Sequence, residues 1–192
     1  MTIAPNYQVV LLTGQSDPQR CALSPLQQAF LDRAVPRDAQ LRSNFPYSEQ
    51  LEPYRATPLL IASWRNGRQY FASRHRSFAH KHAGTFIEVI ERCERTLVLT
   101  GSCGLELFNN LSLPASIMVR IRLFAFGPVA RRRPDCKHVL VGSRRDWLSR
   151  WFFPRPDHWV DCAHLDYLRA SAVDTLWGEF VSRAASARHV CA

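Results

Sequence analysis

The sequence predicts an α/β fold, with a mainly parallel sheet of about five or six strands flanked by helices. Two observations lead to this prediction. Short apolar runs at residues 7–13 and 97–99 read as buried strands, and each is followed by a turn and a helical pattern. A strand, a loop and a helix in succession form half of a βαβ unit, which builds parallel sheets. The 192-residue length predicts a single domain over residues 1–192.

Composition and charge limit the possible partners. The chain is 46% apolar, enough for a sizeable core, and its formal net charge of +9 comes mostly from arginine. An arginine excess attracts anionic substrates, nucleic acid or an acidic membrane surface, and the alternative is a solvated basic surface. The six cysteines form no CxxC pair. This spacing argues against a zinc ribbon and against a compact disulfide framework.

The sequence predicts a cytoplasmic protein. The N-terminal residues MTIAPNYQ lack a charged start followed by an apolar run, so no signal peptide is expected. No apolar stretch reaches the ~18 residues that a membrane span requires. Reduced thiols are expected in that compartment. The sequence leaves the oligomeric state open.

The first part of the chain contains a strand, a helix and a second short strand. Residues 7–13 predict the first strand, which ends at the loop Gly14-Gln15-Ser16. Ser24 followed by Pro25 is a helix-start signal, and it predicts a helix over residues 25–34. A short strand is expected near residues 39–45.

The next segment, residues 58–93, has a helical pattern. We predict helices broken near Gly67 and again around residues 83–84. His80 and His82 invite a metal interpretation, but they would point to different faces of a helix. No cysteine or carboxylate lies at ligand spacing beside them, so no metal site is predicted. A solvated basic face is favoured, with anion binding as a secondary interpretation.

The chain is organised around residues 95–110, RTLVLTGSCGLELFNN. Residues 96–99 predict a buried strand, residues 100–104 a tight turn of small residues, and the following residues a helix start. A side chain at the apex of such a turn projects above the carboxyl edge of the sheet. The N–H groups at the start of the helix also point there, which suits a developing negative charge.

The rest of the chain predicts more strands and a final helix. Residues 117–126 read as a longer strand, residues 138–141 as a short buried strand, and residues 172–185 as an amphipathic helix. The basic run at residues 131–133 could grip phosphate. No aromatic interleaving or nucleic-acid motif accompanies it, so nucleic acid is not an expected partner.

The turn at residues 100–104, TGSCG, resembles the nucleophile elbow of the α/β-hydrolase superfamily, with Thr100 in place of the usual first glycine. Two later segments add to the resemblance. Asp146 lies a few residues beyond a predicted strand, where the family presents its acid, and His164 lies between a last strand and a late helix. The order Ser102, Asp146, His164 is the family's order.

The resemblance implies a minimal, lidless three-layer α/β-hydrolase-like domain. It implies a serine hydrolase acting on an ester, thioester or related acyl bond, with Ser102 as nucleophile, His164 as base and Asp146 orienting His164. The backbone N–H groups of Gln15 and Cys103 would form the oxyanion hole. No metal or organic cofactor is implied, and the partner would be a small acyl substrate, which could be anionic.

Several alternatives stay open from the sequence. Cys103 adjoins Ser102 and could be the nucleophile, and Asp157, Asp161 and His158 are nearby alternatives for the acid and the base. The predicted serine, acid and histidine could also fill purely structural roles, as a turn residue, a helix cap and a core histidine. The alternative function is a non-catalytic α/β binding module that uses its basic surface to bind an anionic partner.

Overall fold

A computed structural model describes residues 6–47 and 53–186. The strands of this part are β1 (Tyr7–Leu12), β2 (Gln40–Asn44), β3 (Arg95–Gly101), β4 (Ile121–Phe126), β5 (Lys137–Ser143) and β6 (His158–Val160). They form one all-parallel sheet of six described strands in the order β2-β1-β3-β4-β5-β6. The predicted α/β fold is therefore confirmed. Residues 1–5, on which the signal-peptide prediction partly depends, lie outside the described residues.

Helices cover both faces of the sheet. They are α1 (Pro25–Ala34), α2 (Leu59–Ala72), α3 (Arg76–Glu91), α4 (Gly104–Asn109), α5 (Ala115–Met118), α6 (Trp147–Phe152) and α7 (Ser171–Ser186). On one face α1 and α7 pack through Phe30 and Trp177, and on the other α3 and α4 pack through Phe86 and Phe108. This arrangement is a three-layer sandwich. Across the described ranges, no helix has both the length and the apolar character needed to cross a bilayer.

Helix α1 begins where the sequence predicts, because two reciprocal hydrogen bonds between Ser24 and Gln27 cap its N-terminus. The Ser24 hydroxyl accepts a hydrogen bond from the Gln27 N–H, and the Gln27 side chain accepts one from the Ser24 N–H. This reciprocal capping box satisfies backbone donors that the first helical turn would otherwise leave unpaired.

The predicted helix breaks near Gly67 and around residues 83–84 are wrong. Both α2 and α3 run through their glycines, and the break lies between Ala72 and Arg76. A Cβ at Gly67 or Gly84 would meet no atom within 4 Å, so nothing in the surrounding packing interrupts the helix there. A helical glycine costs only about 1 kcal/mol, which tertiary structure overrides.

The predicted strand over residues 117–126 is also partly wrong. Helix α5 ends at Met118, and β4 begins only at Ile121. The carbonyl of Pro114 accepts hydrogen bonds from the N–H groups of Ile117 and Met118, which draws these residues into a helical turn. Apolar residues in a short run do not distinguish a strand from a buried helical turn.

The parallel direction of the strands positions the candidate site. All carboxyl ends lie at one edge of the sheet. Gln15 follows β1, Ser102 follows β3, Asp146 follows β5 and His164 follows β6. The four segments that carry the predicted site residues therefore leave the sheet on the same side, where open parallel sheets bind their ligands.

Candidate active site

Ser102 occupies a sharp turn between β3 and α4. Its φ angle is +51°, in the left-handed region that non-glycine residues seldom adopt. Two backbone hydrogen bonds hold it there: the Ser102 N–H donates to the Phe126 carbonyl, and the Ser102 carbonyl accepts from the Val129 N–H. Such a conformation costs roughly 1–2 kcal/mol and persists only when its surroundings fix it. The turn therefore presents the Ser102 hydroxyl at the sheet edge.

Gly104 allows this turn to pack against β1. A Cβ built at Gly104 would lie 2.1 Å from the carbonyl oxygen of Leu12. This oxygen belongs to the backbone and cannot rotate away, so no larger residue fits without displacing β1 or α4. This contact explains why the turn, predicted as a turn of small residues, has glycine at position 104.

The three predicted triad residues meet at the sheet edge. The Ser102 Oγ lies 3.2 Å from His164 Nε2, and His164 Nδ1 lies 2.7 Å from Asp146 Oδ2. The Asp146 side chain is only 1% exposed, whereas the His164 side chain is 26% exposed. A hydroxyl, an imidazole and a carboxylate thus form one continuous chain of hydrogen-bond contacts that ends at an accessible surface.

Asp146 is held as a buried carboxylate by three donors. Its Oδ1 accepts from the Ser149 N–H at the start of α6, and its Oδ2 accepts from the Tyr167 hydroxyl at 2.9 Å as well as contacting His164. Burial alone would raise the pKa of Asp146, but the hydrogen bonds from His164, Ser149 and Tyr167 outweigh it, and the pKa is lowered. Asp146 therefore caps α6, a role considered from the sequence, and also contacts His164.

Ser143 ties the histidine loop to the end of β5. Its hydroxyl donates to the Cys162 carbonyl at 2.6 Å and accepts from the Cys162 N–H at 3.0 Å. Ser143 is completely buried, so water does not compete for these bonds. The segment that leads to His164 is thus fixed relative to the strand that leads to Asp146.

The alternative acids and base are engaged elsewhere. Asp157 pairs with Arg133 and also accepts from the Leu140 N–H. Asp161 lies 3.9 Å from the Arg145 guanidinium. His158 begins β6 and lines a separate cavity near the start of β5. None of the three is brought to Ser102 in the described structure.

Cys103 is buried behind the turn. Burial raises the pKa of its thiol to about 12. Because a thiolate rather than a thiol is the reactive form, this environment disfavours nucleophilic chemistry at sulfur. Within the described residues, no backbone carbonyl accepts a hydrogen bond from the Cys103 N–H.

The other predicted oxyanion donor already has an acceptor. The Gln15 N–H donates to Oε1 of Gln69, on α2, at 2.6 Å. The loop that carries Gln15 is anchored by Asn44, whose Oδ1 accepts from the Thr13 N–H and whose amide donates to the Thr13 and Gly14 carbonyls. The donor therefore lies on a well-supported loop, beneath a side chain that a ligand oxygen would have to replace.

A cavity of about 690 Å³ opens over Ser102 and His164. Helices α2 and α6 both line it. Their large apolar residues in the cavity are Leu59, Tyr70, Phe71, Leu148 and Phe152. The Tyr70 and Phe152 rings meet at 6.1 Å between centroids. The cleft is thus walled by two helices of the α/β domain.

Glu106 is a buried carboxylate in α4, just beyond the turn. It accepts from the backbone N–H and from Nε of Arg131, and from the Asn110 amide. Arg74 also lies within 3.4 Å of it. Burial alone would raise the pKa of Glu106, but the Arg131 and Asn110 contacts outweigh it, and the pKa is lowered. Arg131, at the start of the predicted basic loop, is therefore ion-paired.

Four residues that support the site were not found from the sequence: Asn44, Gln69, Ser143 and Tyr167. Each acts through a contact with a residue far along the chain, which no local pattern encodes. The nearest signal for Tyr167 is its place three residues after His164.

The described residues include no group of three or more His, Cys, Asp or Glu side chains arranged to hold a metal ion. No protein-family model matches the sequence, and a search of the curated proteins finds no match.

Proposed function

We propose that the protein is a serine hydrolase that cleaves an ester, a thioester or a related acyl bond, as a small member of the α/β-hydrolase superfamily. The observation that carries this proposal is the connected chain from Ser102 Oγ through His164 to the buried Asp146 carboxylate. A serine hydroxyl needs a base within hydrogen-bond reach, and that base needs a carboxylate to fix its tautomer.

The reaction follows from these positions. Ser102 Oγ attacks the acyl carbonyl carbon while His164 Nε2 takes the hydroxyl proton. The tetrahedral intermediate collapses, His164 gives the proton to the departing alcohol or thiol, and the acyl group stays on Ser102. Water then attacks the acyl-enzyme with His164 again as base, which releases a carboxylic acid and restores Ser102. Asp146 stabilises the imidazolium in both steps.

The oxyanion donors in this proposal are the backbone N–H groups of Cys103 and Gln15. The Cys103 N–H adjoins the nucleophile, as the elbow geometry requires. The Gln15 N–H becomes available once the substrate oxygen replaces the Gln69 amide oxygen. The substrate is then bound with its carbonyl between the β1 loop and the start of α4.

The cavity supports a substrate with an apolar acyl part. Its walls carry Tyr70, Phe71, Leu148 and Phe152, and Ser102 lines the same cavity. Ligand sites of this kind combine an apolar lining with a few polar groups that fix orientation. Arg55 also lines the cavity, which supports an anionic group on the substrate. The cytoplasm is the proposed compartment; no disulfide is found among the described cysteines.

The test is labelling of the purified protein by a fluorophosphonate probe. We expect the wild type to label, and Ser102→Ala and His164→Ala to lose labelling. Cys103→Ala is the matched control, and it should label at a rate close to that of the wild type because the Cys103 contribution is a backbone N–H. Labelling that survives Ser102→Ala but disappears in Cys103→Ala would assign the nucleophile to sulfur.

A wild type that stays unlabelled while folded by circular dichroism would refute the hydrolase proposal. The non-catalytic binding module would then be the better account of the fold.

A further inference from the structure

We propose that the outer face of α2, together with the exposed tryptophans of α6, binds the surface of a bilayer that contains anionic lipids. The α2 part, here called the outer stripe, consists of Leu60, Ile61, Trp64 and Arg68. The α6 part consists of Trp147 and Trp151. This proposal does not depend on the proposed hydrolase activity.

The amphipathicity of α2 is the first observation. Its inward face lines the cleft through residues that include Ser63, Asn66 and Tyr70. Its outward face carries Leu60, which is 84% exposed, and Trp64, which is 61% exposed. Large apolar side chains on the solvent side of a helix mark an interaction surface when they form a group.

The second observation is that α6, which lines the same cleft, also exposes two tryptophans. Trp147 is 75% exposed and Trp151 is 82% exposed. The intervening Leu148, with Phe152, packs near Tyr70 of α2, so the two helices are neighbours at the cleft mouth. Tryptophan favours the boundary between water and hydrocarbon, where its ring is buried and its N–H stays hydrated.

The segment that contains α2 carries cations and no acidic residue over a long stretch. Residues 53–87 contain no aspartate or glutamate; their cations are Arg55, Arg65, Arg68, Arg74, Arg76 and Lys81. Arg68 lies over the Trp64 ring at 4.8 Å, which keeps a guanidinium within the apolar stripe. Cations next to interfacial apolar side chains are what an anionic lipid surface attracts.

The same observations disfavour other occupants. The three tryptophans could stack on nucleic-acid bases, but Leu60, which is 84% exposed, and Ile61 would gain nothing from that contact, whereas a bilayer would bury both. A second copy of the chain would bring one cationic surface against another, with no acidic residue in residues 53–87 to relieve the repulsion. A bilayer supplies both the apolar depth and the negative charge that this face requires.

The experiment is co-sedimentation of the full chain with vesicles, in a Ser102→Ala background so that hydrolysis plays no part. One set of vesicles is phosphatidylcholine alone, and the other also contains phosphatidylglycerol. We expect binding to the second set, with weaker binding as salt is raised. Two variants test the face: Leu60→Ser combined with Trp64→Ser, and Arg68→Glu. Each should weaken binding by roughly tenfold or more.

The control residues lie at the amino-terminal ends of the strands, away from the cleft. Val119, which is 77% exposed before β4, tests an apolar loss as Val119→Ser. Arg183, whose side chain is 79% exposed near the end of α7, tests a charge reversal as Arg183→Glu. Both should bind as the parent does.

Three outcomes would overturn the proposal. They are equal binding to both sets of vesicles or to neither, variants of the outer stripe that bind as the parent does, and a dimer in solution that Leu60→Ser with Trp64→Ser dissociates. Arg68 is exposed, so a folding failure cannot account for the result with Arg68→Glu.

Discussion

The side-chain oxygen of Gln69 lies 2.6 Å from the backbone nitrogen of Gln15 and accepts its hydrogen bond. This contact joins the inward face of α2 to the loop after β1. An amide oxygen here has the same chemistry as a substrate carbonyl, so it competes directly for the donor that the proposed mechanism assigns to the oxyanion.

Gln69→Ala should therefore raise the rate of fluorophosphonate labelling, by roughly fivefold, because a neutral hydrogen bond contributes about 1 kcal/mol. Gln69→Glu should lower the rate, since a carboxylate is a stronger acceptor and repels the oxyanion. The measurement is the second-order rate constant of labelling for each variant and for the wild type. Equal losses in the two variants would mean that Gln69 supports the loop and does not compete for the donor.

Tyr167 is a positioning residue for Asp146. Tyr167→Phe removes the hydroxyl that donates to Asp146 Oδ2 but keeps the ring that packs beside Phe126. A hydrogen bond to a charged group contributes about 1.5–3 kcal/mol, so labelling should fall by roughly tenfold or more. The probe concentration at half-maximal rate should stay unchanged. A higher half-maximal probe concentration with an unchanged maximal rate would indicate altered probe binding instead.

The buried Glu106 carboxylate should make the protein sensitive to acid. Its pKa is lowered in the folded state, so its ionised form stabilises the fold at neutral pH. This contribution is present above the ordinary glutamate value of 4.5 and is lost as the pH falls through the lower folded value. We expect the urea midpoint of the wild type to fall across that window.

Glu106→Gln is the matched variant for this effect. It keeps the shape but removes the charge that Arg131 meets. Because Arg131 is half exposed and water can solvate it, the variant should cost roughly 1–2 kcal/mol at neutral pH. Its urea midpoint should also vary less with pH in the same window. Parallel pH dependence in the two proteins would place the acid sensitivity elsewhere.

The strained backbone at Ser102 should appear in stability measurements. Ser102→Ala and Ser102→Gly both remove the hydroxyl, but only glycine adopts a φ of +51° without penalty. We expect the glycine variant to be more stable than the alanine variant by about 1 kcal/mol, the reverse of the usual order. Ser112, with a φ of +52°, is the matched control.

At Ser112 the same order of stability should appear without any loss of labelling. Denaturant titrations of the four variants give the comparison. An alanine variant at Ser102 as stable as the glycine variant would show that the turn is not strained.

Local patterns predict an element well where particular residues start or end it through their own backbone chemistry. Helix α1 was located because Ser24 and Pro25 cap and start a helix by themselves. The breaks expected at Gly67 and Gly84 failed because glycine weakens a helix without ending it. The sequence places Met118 in a strand because an apolar run looks the same in a strand and in the helical turn that follows Pro114.

The candidate site was predictable only in part. Ser102, Asp146 and His164 could be named because their order and their positions after predicted strands resemble the pattern of the α/β-hydrolase superfamily. Gln69 could not be named, since its partner Gln15 lies far away in sequence. The same holds for Ser143, whose hydroxyl meets Cys162 across the end of the sheet.

The position of β6 has a consequence for the order in which the protein loses structure and reactivity. In the described sheet, β6 is a three-residue edge strand that pairs with β5 alone. Opening of this edge would carry His164 away from Ser102 while the ladders from β1 to β5 stay closed. The Ser143–Cys162 bonds fix the segment in the closed state, but a strand with one neighbour opens at a lower free energy than the strands in the middle of the sheet. Reactivity should therefore vanish at a lower denaturant concentration than the helical signal, as a separate and earlier transition.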